Sequence, residues 1–156
     1  MIRVLFVCLG NICRSPTAEG VFQNLLSEQG MEKRVLVDSA GTGSWHVGNP
    51  PDPRAQEAAL RRGIDLSGLR GRQVSHHDFS EFDYILAMDN SNLIDLKTMS
   101  PSQHRERISL FLEYADDFTE SEVPDPYYGG GFDLVLDMIE SASRGLLTDI
   151  RNRHNI

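Results

Sequence analysis

Apolar residues follow two alternating periods along the chain. Ile2-Arg3-Val4-Leu5-Phe6-Val7 is a short, β-branched, apolar run and predicts a buried strand. Behind it, Ala18, Val21, Phe22, Leu25 and Leu26 recur at i, i+3, i+4, i+7 and i+8, one face of a helix that ends near Gly30. Val35-Leu36-Val37 predicts a second strand, and the small residues from Ser39 to Trp45 a loop that continues through Asn49-Pro50-Pro51. Asp52 caps a helix with Pro53 at its first position, running through Ala55, Ala58 and Ala59 to Gly63. Ile64 to Asp78 is polar and irregular. Asp83 to Met88 predicts a third strand, Asp89 to Asn92 a cap, and Leu93, Ile94, Leu96 and Met99 the helix after it. Ile108 to Leu112 predicts a fourth strand and Tyr114 to Glu122 an acidic loop. The prolines and glycines of Val123 to Gly131 exclude regular structure there. Phe132, Val135, Ile139, Ala142 and Leu146 mark a last helix, and Arg151 to His154 a fraying basic tail.

Strands that alternate with helices predict βαβ units, hence a parallel sheet with helices on both faces. Ligands of such sheets bind beyond the carboxyl ends of the strands. Three predicted loops share that edge: Cys8 to Ser15, Ser39 to Trp45 and Met88 to Asn92. Neither a repeat nor a domain boundary interrupts the pattern, so residues 1–156 read as a single domain.

Charge narrows the function. The formal net charge of −8 disfavours nucleic acid and anionic membranes as partners. Any anion must then be bound by local groups, against the field of the whole chain. No apolar run has the length of a bilayer span, and Val4 to Leu9 is too short for an export signal, which points to the cytoplasm. Two cysteines, Cys8 and Cys13, form no disulfide framework and suit a reducing compartment. The five histidines lack metal-ligand spacing, and neither a P-loop lysine motif nor Gly-x-Gly-x-x-Gly is present, so no metal or nucleotide cofactor is called for.

The candidate chemistry lies in Cys8-Leu9-Gly10-Asn11-Ile12-Cys13-Arg14-Ser15, between the first strand and the first helix. Ser15 suits the N-cap and Pro16 the first helical position. A strand-to-helix loop can aim backbone N–H groups and the helix dipole at an anion. Cys8 sits at the strand end, facing that dipole and Arg14, surroundings that favour a thiolate near neutral pH. Arginine holds phosphate bidentately, and at a helix start it opposes the dipole unless an anion is bound. A thiolate beneath a phosphate cradle is arranged for in-line attack on phosphorus. Gly10 and Asn11 suit the left-handed or strained backbone of such a cradle.

The Cys-x5-Arg-Ser loop, the strand Val-Leu-Phe-Val before it, the Ser-Pro helix start after it and the distant Asp125-Pro126-Tyr127-Tyr128 together resemble the low-molecular-weight protein tyrosine phosphatases. The resemblance covers nearly the whole chain. It implies a four-stranded, flavodoxin-like three-layer sandwich. It also implies a metal-independent hydrolase of phosphotyrosine proteins or aryl phosphates that releases inorganic phosphate. Cys8 is then the nucleophile that forms a phosphocysteine, and Arg14 binds the phosphoryl oxygens with the loop of Leu9, Gly10, Asn11, Ile12, Cys13 and Ser15. Asp125, which by its own context reads as a turn aspartate, becomes general acid and then base. Ser15 gains a second role beside capping, a hydroxyl bonded to the Cys8 sulfur. Asn11 anchors the loop with Ser39 as one partner. Tyr127, Tyr128 and Trp45 wall the pocket or simply pack on the surface, and Leu9 and Ile12 face the pocket or the core. Asp89 and Ser91 lie at the same edge and read as structural. Cys13 pairs reversibly with Cys8 or is a small core residue.

An arsenate reductase on the same fold would need further cysteines to relay a disulfide, and none comes after Cys13. A silent phosphate-binding module is disfavoured by the intact Cys8, Arg14, Ser15 and Asp125. A thiol redox protein is disfavoured by the lack of Cys-x-x-Cys. The composition fits a monomer, with Tyr127 and Tyr128 as an alternative weak dimer contact.

Overall fold

The strand β1 (Ile2–Cys8) lies between two parallel neighbours, β2 (Val35–Gly41) and β3 (Tyr84–Ala87), and β4 (Ile108–Leu110) completes the order β2-β1-β3-β4. This is a computed structural model that describes residues 1–156. Val4 to Val7 are wholly buried because β1 is covered on both faces, which is why its sequence shows no alternation. Val4, Phe6 and Cys8 face the larger core. It is closed by α1 (Arg14–Glu28), α2 (Pro53–Leu60) and α6 (Phe132–His154). Leu5 and Val7 face the smaller core beneath α3 (Asp78–Glu81) and α4 (Asn90–Met99). Phe6 sits edge-on between Phe22, 5.8 Å away, and Phe111, 4.8 Å away, so β1, α1 and the turn after β4 share one aromatic contact. The expected four-stranded parallel sandwich is present. No helix is long and apolar enough to cross a membrane.

Several boundaries differ from those expected, each for a local reason. β2 continues through Ser39 and Ala40 to Gly41, which pairs with Cys8. Small residues suggest a loop, but they let the Cys8 loop lie against the strand. A Cβ on Gly41 would sit 2.8 Å from the Leu9 carbonyl oxygen. β4 stops at Leu110, and Phe111–Tyr114 forms a 3₁₀ turn that buries Phe111 and Leu112. Asp78–Glu81 makes one helical turn that the polar sequence does not indicate. A second short turn, α5 (Pro126–Gly129), occupies the proline- and glycine-rich stretch expected to be irregular. The basic tail stays helical to His154. Asp149 pairs with Arg153 at 3.1 Å, and the Tyr84 hydroxyl lies 3.3 Å from His154 Nε2.

α1 begins at Arg14, two residues earlier than expected, with Cys13 at the N-cap position. Ser15 therefore caps nothing and Pro16 is the third helical residue. That position is tolerated, since N–H groups of the first turn have no intrahelical acceptor.

Gly145 marks where α6 presses on the rest of the molecule. A Cβ there would overlap the Tyr114 carbonyl oxygen. Alanine favours an isolated helix over glycine by up to about 1 kcal/mol. Gly145→Ala should nevertheless destabilise the protein by about 1–3 kcal/mol through overpacking. The shift in urea midpoint measures it.

Candidate active site

At the carboxyl edge of the sheet the chain leaves β1 at Cys8 and turns through five residues into α1. The turn requires one left-handed residue, and Asn11 supplies it at φ +56°. Gly10 does not share that conformation. Its lack of a side chain serves another contact, since a Cβ there would lie 3.1 Å from the His46 ring.

Carbonyls of the loop are tied outward. The Thr42 amide donates to Cys8 O at 2.9 Å, Gly43 to Leu9 O at 2.9 Å and Asp52 to Ile12 O at 2.8 Å. The amides of Leu9, Gly10, Ile12, Cys13, Arg14 and Ser15 donate to no carbonyl or side chain. The loop is thus a concavity of spare N–H groups at a helix start, a ready anion cradle.

Cys8 is buried at its floor. The Asn11 amide donates to the sulfur at 3.3 Å, and the Ser15 hydroxyl lies 3.0 Å from it. Ser15 Oγ accepts from Asn11 Nδ2 at 2.7 Å, so its own proton is left for the sulfur or, at 3.4 Å, for the Ala40 carbonyl. The other Asn11 Nδ2 hydrogen goes to Ser39 Oγ at 3.0 Å, and the Arg72 amide donates to Asn11 Oδ1 at 3.0 Å. Ser39 then donates to Glu19 Oε1 at 2.7 Å. From the Arg72 amide through Asn11 and Ser39 to Glu19, each hydrogen has one direction.

Arg14 is as buried as Cys8. One of its terminal nitrogens donates both to Asp89, at 2.7 Å, and to the Val123 carbonyl, at 3.0 Å. The other lies 3.7 Å from Asp125. Burial works against the guanidinium charge, but the Cys8 sulfur, Asp89 and Asp125 outweigh it, and Arg14 is held above its ordinary value. Asp89 also caps α4 by accepting the Asn92 amide at 2.8 Å. Its sequence shows only the cap.

Asp125 is extended at φ −80° and ψ 115°, as its place before proline requires. It was expected to have no helix to cap, yet it accepts the Tyr127 amide at 3.0 Å and caps α5. Its other oxygen faces Arg14 across the cradle. A pocket of about 450 Å³ joins Cys8, Arg14 and Asp125 to Leu9, Ile12, Cys13, Trp45, His46, Tyr127 and Tyr128. Ile12 is buried and Leu9 is 43% exposed, so both border the pocket, while Trp45 and Tyr128 stand out at its mouth. The Tyr127 and Tyr128 rings meet edge to face at 4.9 Å.

Cys13 lines the same pocket as a free, buried thiol. Burial, then the negative charges of Asp52, Cys8 and Asp125, push its pKa up to about 12. No group of side chains has the composition to hold a metal ion. His46, Glu19, Arg54 and Arg72 border or support the site without any signature in the sequence, because each reaches it only through tertiary contact. Asp89 was within reach of the sequence, since it opens the loop after a strand adjacent to β1.

Residues 3–155 match the family model described as low molecular weight phosphotyrosine protein phosphatase. The chain is 45% identical over 156 residues to the low molecular weight protein-tyrosine-phosphatase YfkJ of Bacillus subtilis, covering all of both chains. It is 47% identical over 133 residues to the human low molecular weight phosphotyrosine protein phosphatase, 84% of this chain and 83% of that one. A crystal structure of protein tyrosine phosphatase from Entamoeba histolytica superposes with a TM-score of 0.96 at 38% identity, covering 99% of each chain.

Glu19 gives the site a measurable pH signature. Burial raises its pKa from 4.5 to about 7, Ser39 and Arg72 oppose the rise and Asp38 adds to it. Between those pH values the fold holds a proton that the unfolded chain has lost, so stability falls as pH rises from 4.5 to about 7. Glu19→Gln should remove this cost, on the order of 2–4 kcal/mol, above pH 7 and leave stability unchanged near pH 4. Denaturant unfolding of both proteins across that range reads the difference.

Proposed function

Because the chain belongs to the low molecular weight phosphotyrosine protein phosphatase family and hydrolyses phosphotyrosine, we propose that Cys8 is its nucleophile, Arg14 its phosphate ligand and Asp125 its acid and base. The observation that carries this reading is the buried Cys8 sulfur beneath six spare amides, with Ser15 at 3.0 Å and Arg14 and Asp125 above.

The Cys8 thiolate attacks phosphorus, forming an S–P bond as the P–O(aryl) bond breaks. Asp125 gives its proton to the leaving phenolate. The cradle amides and the free edge of Arg14 take up the charge on the equatorial oxygens. Water then attacks the phosphocysteine, with Asp125 now accepting a proton. The S–P bond breaks, and Cys8 leaves as a thiolate stabilised by the Ser15 hydroxyl. Inorganic phosphate is released. Asn11 and Ser39 hold the loop in shape.

The depth of Cys8 supports an aryl phosphate in preference to a short alkyl one, since the sulfur lies at the floor of a pocket walled by Tyr127, Tyr128 and Trp45. Leu9 and Ile12 supply apolar contact to the ring. Every group in these steps comes from residues 1–156 of one chain, so a single-domain monomer suffices. Two free, buried cysteines support a reducing, cytoplasmic setting.

Cys13 is the proposed resolving thiol. Peroxide converts the Cys8 thiolate to a sulfenic acid, and Cys13 attacks it to give a disulfide and water. Wild type should regain activity when a thiol reductant is added after peroxide, and Cys13→Ala should not. Equal recovery removes the role.

Hydrolysis of phenyl phosphate in EDTA tests the mechanism. Wild type should be active and Cys8→Ser inert, and Asp125→Ala should lose roughly 2–4 orders of magnitude in the acid-dependent step. Activity surviving Cys8→Ser overturns the nucleophile. Loss of wild-type activity in EDTA overturns the metal-free mechanism.

A further inference from the structure

The segment that carries Asp125 is poorly held by its own backbone. Upstream, Val123 is fixed, its amide donating to Met88 O at 2.8 Å and its carbonyl accepting from Arg14. Downstream, Gly129, Gly130 and Gly131 stand in succession, the last two at φ +79° and +84°. Such a run imposes little conformational preference. Within residues 125–131 the hydrogen bonds are local, Tyr127 N to Asp125 and Gly130 N to Pro126 O. Gly131 already belongs to the start of α6, its carbonyl accepting the Val135 amide at 3.1 Å; ahead of it, the one hydrogen bond from residues 125–130 to the rest of the chain runs from Arg54 Nη2 to the Tyr127 carbonyl at 3.0 Å, beside the longer 3.7 Å ion pair of Asp125 with Arg14.

Arg54 is built for that task. It projects from the first turn of α2, and Asp52 grips it with two contacts, Nε to Oδ1 at 3.1 Å and Nη2 to Oδ2 at 2.9 Å. Its guanidinium lies 5.5 Å from the centre of the Tyr127 ring and 4.9 Å from that of Phe132, the first residue of α6. Each contact is a cation–π interaction, and together they bridge the two sides of the glycine run. α2 is itself fixed to the cradle, since the Asp52 amide donates to Ile12 O. A continuous path therefore runs from the cradle through Asp52 and Arg54 to the turn that holds Asp125.

We propose that Arg54 is a positioning residue for the general acid, clamping the Asp125 turn against α2 at the height of the pocket. This rests on the assignment of Asp125 above. Arg54 touches neither nucleophile nor phosphate. Without the clamp, the 125–131 segment samples orientations in which the carboxyl no longer reaches the leaving oxygen. The loss then falls on reactions that need a proton most.

The test is the dependence of kcat/KM on leaving group, from 4-nitrophenyl phosphate, whose phenolate departs readily, to phenyl phosphate, whose phenolate needs protonation. Arg54→Met should lose roughly 10- to 100-fold on phenyl phosphate and only a few-fold on 4-nitrophenyl phosphate. Arg54→Lys keeps the charge but loses the fork and the planar stack, so it should resemble Arg54→Met. Phe132→Leu, which leaves Asp52 and its arginine intact, should steepen the dependence in the same sense by a smaller factor. It also decides the matter if circular dichroism shows that the arginine variants do not fold. Adding Asp125→Asn to Arg54→Met should cost little more than Asp125→Asn alone on phenyl phosphate, since both act on one proton. Equal losses across leaving groups in Arg54→Met and Phe132→Leu, or full rescue by lysine, overturn the clamp. If Asp125→Asn itself leaves the dependence flat, the acid assignment falls and the clamp with it; a steep Asp125→Asn beside uniform losses in Arg54→Met sinks the clamp alone.

Discussion

Everything at this site depends on the two amide hydrogens of Asn11. They fix the donor direction of both serines at once. Ser15, having accepted one, keeps its proton for the sulfur, and Ser39, having accepted the other, passes its own to Glu19. The amide can do this only because the Arg72 backbone occupies its oxygen and so sets which end of the group is nitrogen. The residue must also stand in the left-handed conformation, which asparagine tolerates better than most. One residue therefore shapes the loop, orients its hydrogen bonds through the side chain and donates to the Cys8 sulfur through its backbone amide. In a chain of net charge −8, the groups this loop offers an anion are fixed backbone dipoles and one buried guanidinium.

The sheet supplies the frame. β1 lies between β2 and β3, so the loop after it is flanked by the chain leaving each neighbour: Gly41 to Gly43 on one side and Met88 to Asp89 on the other. The first side receives the loop carbonyls. The second provides the carboxylate that grips Arg14 and the carbonyl that holds Val123. The side chains of positions 8, 14 and 125 meet although the last is far from the others in sequence, because it enters across β3 through Val123 and not through a strand of its own.

The strands, most helices and the cradle were legible because each rests on a local rule: period, cap, or the run between strand and helix. What escaped was decided by contacts between distant segments. Ser39 to Gly41 look like loop residues by composition and are strand residues by pairing with β1. Ser15 looks like a cap and instead turns its hydroxyl toward sulfur, since Arg14 already begins the helix. Asp125 looks idle as a cap until one helical turn forms behind it, and Asp89 shows its cap while its ion pair with Arg14 lies hidden. Glu19 and Arg54 fall on polar helix positions indistinguishable from solvated ones, and only the fold presses them against Ser39 and Tyr127. The roles of Ser15, Asn11, Ser39 and Asp125 came from likeness to a family, and spacing alone would not have separated them from ordinary loop residues.

Arg14 rests between two carboxylates, at 2.7 Å from Asp89 and 3.7 Å from Asp125. In the proposed cycle an incoming dianion therefore competes for a guanidinium that these carboxylates already partly neutralise. When free phosphate fills the cradle in the proposed cycle, Asp125 carries the proton taken from water, and the carboxylate left sharing Arg14 is Asp89, a counter-pull that favours departure of the product. A bare arginine would grip both ester and phosphate tightly and stall between turnovers. By keeping its cation engaged at rest, the site trades affinity for release, and substrate and product meet the same internal competitor.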